Sequence, residues 1–442
     1  MIKPLDVVPS KVPSLRARRA RHAPRVLAWI PCAALLVWSP AARALQPLDD
    51  FVRGARTQSP ANREAVANRA GAEARADEAL GGALPGLSAA ATYARNQWEV
   101  SVGGRAILPR DQFDATVTLA VPLVDLAKFA RISAANRSAE AAANRQEATA
   151  RETEAQVVQL YYQLAANLAL VQVARNALEV VRVNLRLTEE ASRAGTVTAL
   201  DVQRARVEVE RQSQQLTSAE LDVKLAARAL ASQTGVVADT SGVPPLDDDL
   251  HGEPALQGFA AGVPTTPAVR AAISDRAAAE RGATAQHLAL VPTLEGRVSE
   301  RYTNAVGFLD GHHEAYAAVL SLVWAFDFTT IPAIRSRNAD AAAARAREDQ
   351  TRLLVGDAIF RAWSTIDADI ARSRSARTQA AVSARAAEVA RTRYRSGVGT
   401  QLELIQADRD AYAAEAGRIQ SDADLLNARR QLRLIAGDAA SP

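Results

Sequence analysis

Two stretches decide how this chain folds: "EEASRAGTVTALDVQRA", Glu189–Ala205, and "RTRYRSGVGTQLELIQA", Arg391–Ala407. Aligned, they share Arg193 with Arg395, Gly195 with Gly397, Thr198 with Thr400, Leu200 with Leu402 and Ala205 with Ala407. An acid, Asp201 or Glu403, follows each threonine. The two stretches stand 202 residues apart inside long helix-forming sequence. A glycine there marks a helix that ends and reverses, because glycine takes a positive φ without steric cost. Each threonine is a natural N-cap for the returning helix, and the acid three residues on completes a capping box. The stretches read as the tips of two helical hairpins.

The match runs outward from the tips. At the same offset Asp125 meets Asp327, Tyr161 meets Trp363 and Gly235 meets Gly437. Upstream the offset is 207: Ser59-Pro60 meets Thr266-Pro267, and Leu84-Pro85-Gly86-Leu87 meets Val291-Pro292-Thr293-Leu294. The five-residue change is expected within a surface loop. Repeats longer than solenoid units point to a duplicated half-domain. The expected organisation is a first repeat over 45–235, a linker over 236–265 ("GVPPLDDDLHGEP"), a second repeat over 266–437 and a tail over 438–442.

Each repeat opens with an N-cap and N1-proline signal, Ser59-Pro60 or Thr266-Pro267. Alternating apolar residues follow. The first repeat has Leu87, Ala89, Ala91 and Tyr93, then Phe113, Ala115, Val117, Leu119 and Val121. The second has Leu294–Tyr302, then Tyr316, Ala318, Leu320, Leu322, Trp324 and Phe326. A period of two predicts a β-hairpin in each copy, at about 87–122 and 294–326. From Leu126 to Arg193 there is neither glycine nor proline, which predicts one helix about 100 Å long. Beyond the first tip runs a heptad seam of Val202, Ala205, Val209, Gln212, Leu216, Ala219, Val223, Ala226 and Leu230. The second copy repeats it from Leu404 to Leu432, the pattern of coiled-coil packing.

The N-terminal residues follow another logic. Five arginines between Arg16 and Arg25 precede an apolar run, Val26–Trp38, and Ala42-Arg43-Ala44 has the small-x-small cleavage pattern. This predicts a secretory signal peptide over 1–44, since an apolar run of 13 residues is short of the roughly 20 that span a bilayer. Without it, 53 basic residues become 45 and 49 acidic residues become 48, a net charge of −3. The basic pI of the whole sequence therefore gives no reason to expect nucleic acid. The sole cysteine, Cys32, leaves with the leader. Catalytic and cofactor-binding constellations are not expected. His312-His313 lies in an Asp-Gly loop without further ligand spacing, so no metal site is predicted.

Two strands per repeat make four per chain, too few to close a barrel. Three copies give twelve strands and no free edge. In its duplication, its Leu-Pro strand openings, "VPLVDL" and "WAFDF" at the strand-to-helix junctions and its "RxG" tips, the sequence resembles the TolC-like outer-membrane efflux family over residues 45–437. The resemblance implies a mainly α chain with a β-barrel part: a homotrimer with a twelve-stranded barrel in outer-membrane lipid above a periplasmic α-barrel. It further implies a passive, non-enzymatic exit duct of a tripartite efflux or type I secretion system, working with a periplasmic adaptor and an inner-membrane pump. Alternative readings are a periplasmic adaptor, which carries one hairpin instead of two, and a periplasmic structural coiled coil without a barrel or transport role, against which the alternating strands in both copies argue.

By the same resemblance Asp201 and Tyr394 match residues that hold the periplasmic entrance shut, and Glu403 matches an acid lining its narrowest point. Gly399 stands where the best-known member has a latch-forming arginine, and Gln406 replaces a second pore acid. Plain capping and helix packing would also account for these positions. The tips themselves, Arg193, Gly195, Thr198, Arg395, Gly397 and Thr400, are the expected adaptor-docking points.

Overall fold

The computed structural model describes residues 45–437, and the expected signal peptide and the 438–442 tail lie outside them. Helix α1 (Leu48–Gln58) precedes α2 (Pro60–Gly81), and strands β1 (Gly86–Arg95), β2 (Val100–Val102), β3 (Arg105–Leu108) and β4 (Asp111–Val124) follow. The first hairpin is α3 (Leu126–Arg193) and α4 (Ala199–Thr234). After a strap containing α5 (Leu256–Ala260), the second copy runs α6 (Pro267–Leu288), β5 (Thr293–Thr303), β6 (Glu314–Val323), α7 (Thr330–Arg395) and α8 (Gln401–Ala436).

The sheet order is β1-β4-β5-β6, antiparallel throughout, so the strands of the two repeats meet at β4 and β5. Leu87 pairs with Leu119 and Leu294 with Leu322, which makes β1 and β5 equivalent at an offset of 207 and β4 and β6 at 203. Four of the five offset residues thus fall in the strand-to-strand loop, where the first copy builds the β2–β3 ribbon around Gly103-Gly104. The fifth is a bulge. Pro122 pairs with Glu295 and Val124 with Leu294, skipping Leu123. The single-loop expectation is corrected accordingly: one residue is absorbed at the strand's end, where a bulge re-aims the chain into α3.

One face of the sheet is largely apolar: Leu87, Val117, Leu119, Val298, Leu320 and Leu322 lie in paired register, and Glu300, opposite Val117 and Tyr316, and Glu314, opposite Tyr302, are its charged members. The other carries Thr116, Thr118, Arg297 and Ser299, and Arg301 donates to Asp114 Oδ1 at 2.5 Å. Tyr93, Phe113, Tyr302 and Tyr316 cluster at the loop end of the apolar face. At the helix end Trp324 stacks on Phe326, which meets Phe328 edge-on. Trp324 and Phe326 lie past the end of β6, not within it as the alternation predicts. The Trp324 indole donates to Leu290 O at 3.0 Å, which turns the chain out of the sheet. From Tyr316 to Trp324 is about 27 Å along an extended chain. That matches the outward apolar band of about 25 Å, girdled by aromatics, of outer-membrane barrels.

The core lies in the helices. Phe51, Val157, Tyr161, Leu164, Leu168 and Leu230 bury one cluster where α1, α3 and α4 meet α8. Phe259, Ile359, Ile366, Leu425 and Leu432 form its counterpart in the second hairpin. The most apolar window of α3 is more than half buried in this packing, as in a core helix. Asp125 caps α3 by accepting from Lys128 N at 2.9 Å. The α7 N-cap, Thr329, makes no side-chain cap, and Asp327, two residues ahead of it, accepts from Thr329 N at 2.7 Å and Thr330 N at 3.1 Å. Ser59 and Thr266 stand at N-cap positions, but neither side chain caps. Ser59 is buried without a hydroxyl partner, and Thr266 donates back to Val263 O at 2.9 Å.

The strap is pinned by charge. Arg429, 5% exposed, pairs with Asp248 at 2.9 Å and Glu253 at 2.5 Å, and Nη2 donates to His251 O at 2.6 Å. Asp248, Asp249 and His251 lie close enough together to suggest a metal site, but the Arg429 guanidinium already bonds Asp248 and the His251 ring, and Asp249 pairs with that ring's Nδ1.

Candidate gate and docking tips

At the first tip Gly195 has φ +76 and Thr196 N donates to Ala191 O at 3.0 Å, closing the end of α3. Gly397, at φ +74, does the same for α7, with Val398 N donating to Arg393 O at 3.0 Å. A side chain at either glycine would meet open space but a strained backbone, which explains glycine at both. Both capping boxes form. Asp201 N donates to Thr198 Oγ1 at 3.3 Å, and Thr198 N returns to Asp201 Oδ2 at 3.1 Å. Glu403 N donates to Thr400 Oγ1 at 3.2 Å and Thr400 N to Glu403 Oε2 at 3.3 Å. Arg193 and Arg395 end their helices exposed, and Val398 between the caps is 70% exposed.

Asp201 also accepts the Thr198 hydroxyl at 2.7 Å, and that bond, with the Thr198 amide and Arg204, holds its carboxyl below the usual carboxylate range. Its acceptors are therefore committed to its own turn. Tyr394 places its hydroxyl 3.1 Å from Thr188 Oγ1, which joins α7 to α3. Glu403 is exposed beside a groove floored by Val382, Ala386 and Val389 and flanked by Arg385 and Arg393.

Residues that the motif reading passed over tie the hairpins together just above the tips. Buried Asn184 on α3 donates to Asp408 Oδ2 on α8 at 2.9 Å, and Arg391 pairs with Asp408 at 2.8 Å. Glu208 on α4, buried, takes Arg409 of α8 at 2.6 Å and Arg211 at 2.5 Å. Buried Thr188 also donates to Gln401 Oε1 at 3.4 Å. Burial pushes the Asp408 carboxyl up despite Arg391 and Asn184. Burial would raise Glu208 too, but Arg211 and Arg409 outweigh it and hold the carboxyl low. A signal existed in the sequence: Gln212 interrupts the apolar heptad, and Glu208 and Asp408 flank seam positions. Just above the tips the seam between the hairpins thus sets these polar pairs among Val181, Ala205 and Ile405.

The profile of the family described as outer membrane efflux protein matches residues 52–236 and 265–438, one segment per repeat. Among solved structures the chain is similar to the outer-membrane channel OprN, with 23% identity, coverage of 88% of this chain and 89% of that one, and a TM-score of 0.77. It is similar to the CmeC outer membrane channel of Campylobacter jejuni at 15% identity, covering 89% and 86%, with a TM-score of 0.78. The open state of the MtrE outer membrane channel of Neisseria gonorrhoeae matches at 18%, covering 89% and 90%, with a TM-score of 0.75. No curated protein matches. The strand faces, the two capped tips and the family match over both repeats agree: this chain belongs to the outer membrane efflux protein family, the non-enzymatic channels of the outer membrane.

Proposed function

We propose that three copies of this chain assemble into the passive exit duct of a tripartite efflux or type I secretion system. The observation that carries this reading is the sheet: four strands, largely apolar on one face, bare along β1 and β6, and joined to helices of 68 and 66 residues. Three such sheets edge to edge close a twelve-stranded barrel, and the hairpins below continue the wall through the periplasm. The repeats, 45–235 and 266–437, supply the wall, and the 236–265 strap lies at its equator. An inner-membrane pump delivers the substrate, and a periplasmic adaptor docks on the tips at Arg193–Thr198 and Arg395–Thr400. Val398, Leu200 and Leu402, all more than half exposed, offer that adaptor an apolar foothold.

Asp201, Tyr394 and Glu403 form the gate region in this reading. Threefold symmetry repeats Glu403 around the axis, where a ring of carboxylates draws cations. Asp201 stiffens one tip through its capping box, and Tyr394 holds α7 against α3. Planar-bilayer recording of protein purified from outer membranes tests the reading. Discrete, cation-favouring conductance steps are expected, with the cation preference weakened by Glu403→Ala. A soluble monomer without conductance would overturn it. For docking, Val398→Trp should reduce export severalfold while leaving membrane insertion intact.

A further inference from the structure

Where α1, α2 and α3 meet the start of α6 and the end of α8, the helices leave a half-open cavity of about 740 Å³. Five arginines line it: Arg56 of α1, Arg69 of α2, Arg151 of α3, Arg270 of α6 and Arg433 of α8. Glu147 and Glu154 are the acids of its wall. Glu154 pairs with Arg56 at 2.8 Å, while Glu147 is divided, one oxygen to Arg151 at 3.0 Å and the other to Arg270. Arg69 turns to Glu73 at 2.7 Å. Arg433 makes no hydrogen bond or ion pair among the described residues. Five guanidiniums thus share three carboxylates, and most of the N–H donors they carry are left for another acceptor.

The second repeat has such a cluster with an anion supplied by the chain itself. There Glu348, 3% exposed, sits among guanidiniums, bonding Arg276 at 2.5 Å and Arg352 as well. By the repeat, Arg276 corresponds to Arg69, Glu348 to Gln146, and Arg345 and Arg352 to Ala143 and Ala150. The central carboxylate is therefore an amide in the first repeat, 3.4 Å from Arg69, and two long side chains are alanines, which opens the space. Arg433 adds a cation where its image, Ala231, has none. We infer that this cavity binds a soluble anion carrying two or more phosphoryl groups, which takes the place that Glu348 fills in the second repeat. A carboxylate offers only two oxygens, and Glu147 already commits both to two arginines. The guanidiniums here come from five helices, and a tetrahedral phosphoryl group presents oxygens in several directions to meet them. The volume is that of a small-molecule site. Its walls are helices of one chain, away from the sheet, so the ligand is a solute and its site does not depend on assembly.

Calorimetric titration of the protein purified from outer membranes with sodium pyrophosphate, at fixed ionic strength, tests the site. Saturable binding of one pyrophosphate per chain is expected. Arg433→Gln, which breaks no bond among the described residues, should weaken it about tenfold, the worth of one charge-assisted hydrogen bond. Gln146→Glu installs the carboxylate of the second repeat and should abolish binding. Glu147→Gln frees Arg151 and Arg270 and should tighten it severalfold. Arg374→Gln, at an exposed arginine of α7 outside the cavity, should change nothing. Absence of saturable binding by the unsubstituted protein would overturn the inference, as would unchanged binding by Gln146→Glu. Equal weakening by Arg374→Gln and Arg433→Gln would reduce the site to diffuse surface charge. Citrate binding as tightly as pyrophosphate would overturn the assignment to phosphoryl groups.

Discussion

The helical hairpins and the sheet satisfy themselves to very different degrees. The hairpins bury their apolar stripes against each other. The sheet covers neither face: β1 is exposed along nearly its whole length, and Leu87, Tyr316 and Leu322 are each at least 72% exposed. Helices meet their backbone hydrogen bonds internally, so a helical hairpin needs only a stripe partner. A sheet needs both edges paired and, here, an apolar solvent on one side. The same chain thus holds a part that folds on its own contacts and a part whose edges and apolar face its own contacts leave uncovered.

Changes at the sheet should have the largest effect. Leu119→Arg puts a charge on the lipid-facing side, costing about 2–4 kcal/mol near the bilayer midplane in each copy. The protein should disappear from the outer-membrane fraction. Thr118→Arg, one residue away on the lumen side, should insert normally. Equal loss from both would erase the distinction between the faces.

Next comes the strap. Arg429→Ala leaves Asp248 and Glu253 buried without their cation, which costs about 3–5 kcal/mol. Limited proteolysis should then cut within residues 246–259 while barrel insertion persists. The caps are smaller: Thr198→Ala or Thr400→Ala should cost about 1 kcal/mol and appear as faster amide exchange confined to that tip. Exchange spreading into α3 or α7 would mean that the tips clamp more than their own turn.

The smallest effect is on pH. Asp408, raised by burial, favours its protonated form when folded, so its burden at neutral pH is relieved as pH falls through its raised value. Glu208, held low by Arg211 and Arg409, contributes stability above the ordinary carboxylate value and loses it as pH falls through its lowered one. Thermal melts should show a slight gain in mild acid and a loss at stronger acid. Asp408→Asn should remove the gain alone.

The helices were legible because their signals are local. Gly195, Thr198 and Asp201 determine a turn by their own φ preferences and hydrogen bonds, and the heptad from Val202 to Leu230 names its buried face. The strand faces were legible from period two. The β2–β3 ribbon and α1 were not: Val100–Leu108 is too short to show a period, and α1 owes its place to Phe51 packing on Tyr161. The polar pairs of the seam were missed for another reason. Asn184, Asp408 and Arg391 are ordinary surface residues by type, and only the meeting of two hairpins 224 residues apart in sequence buries them.

The central claim is that one chain is a third of a channel. Native mass measurement of the protein extracted in detergent from outer membranes tests it most directly. The account predicts a mass of three chains, each lacking residues 1–44. A mass of one chain, from protein with its helices intact, would contradict it.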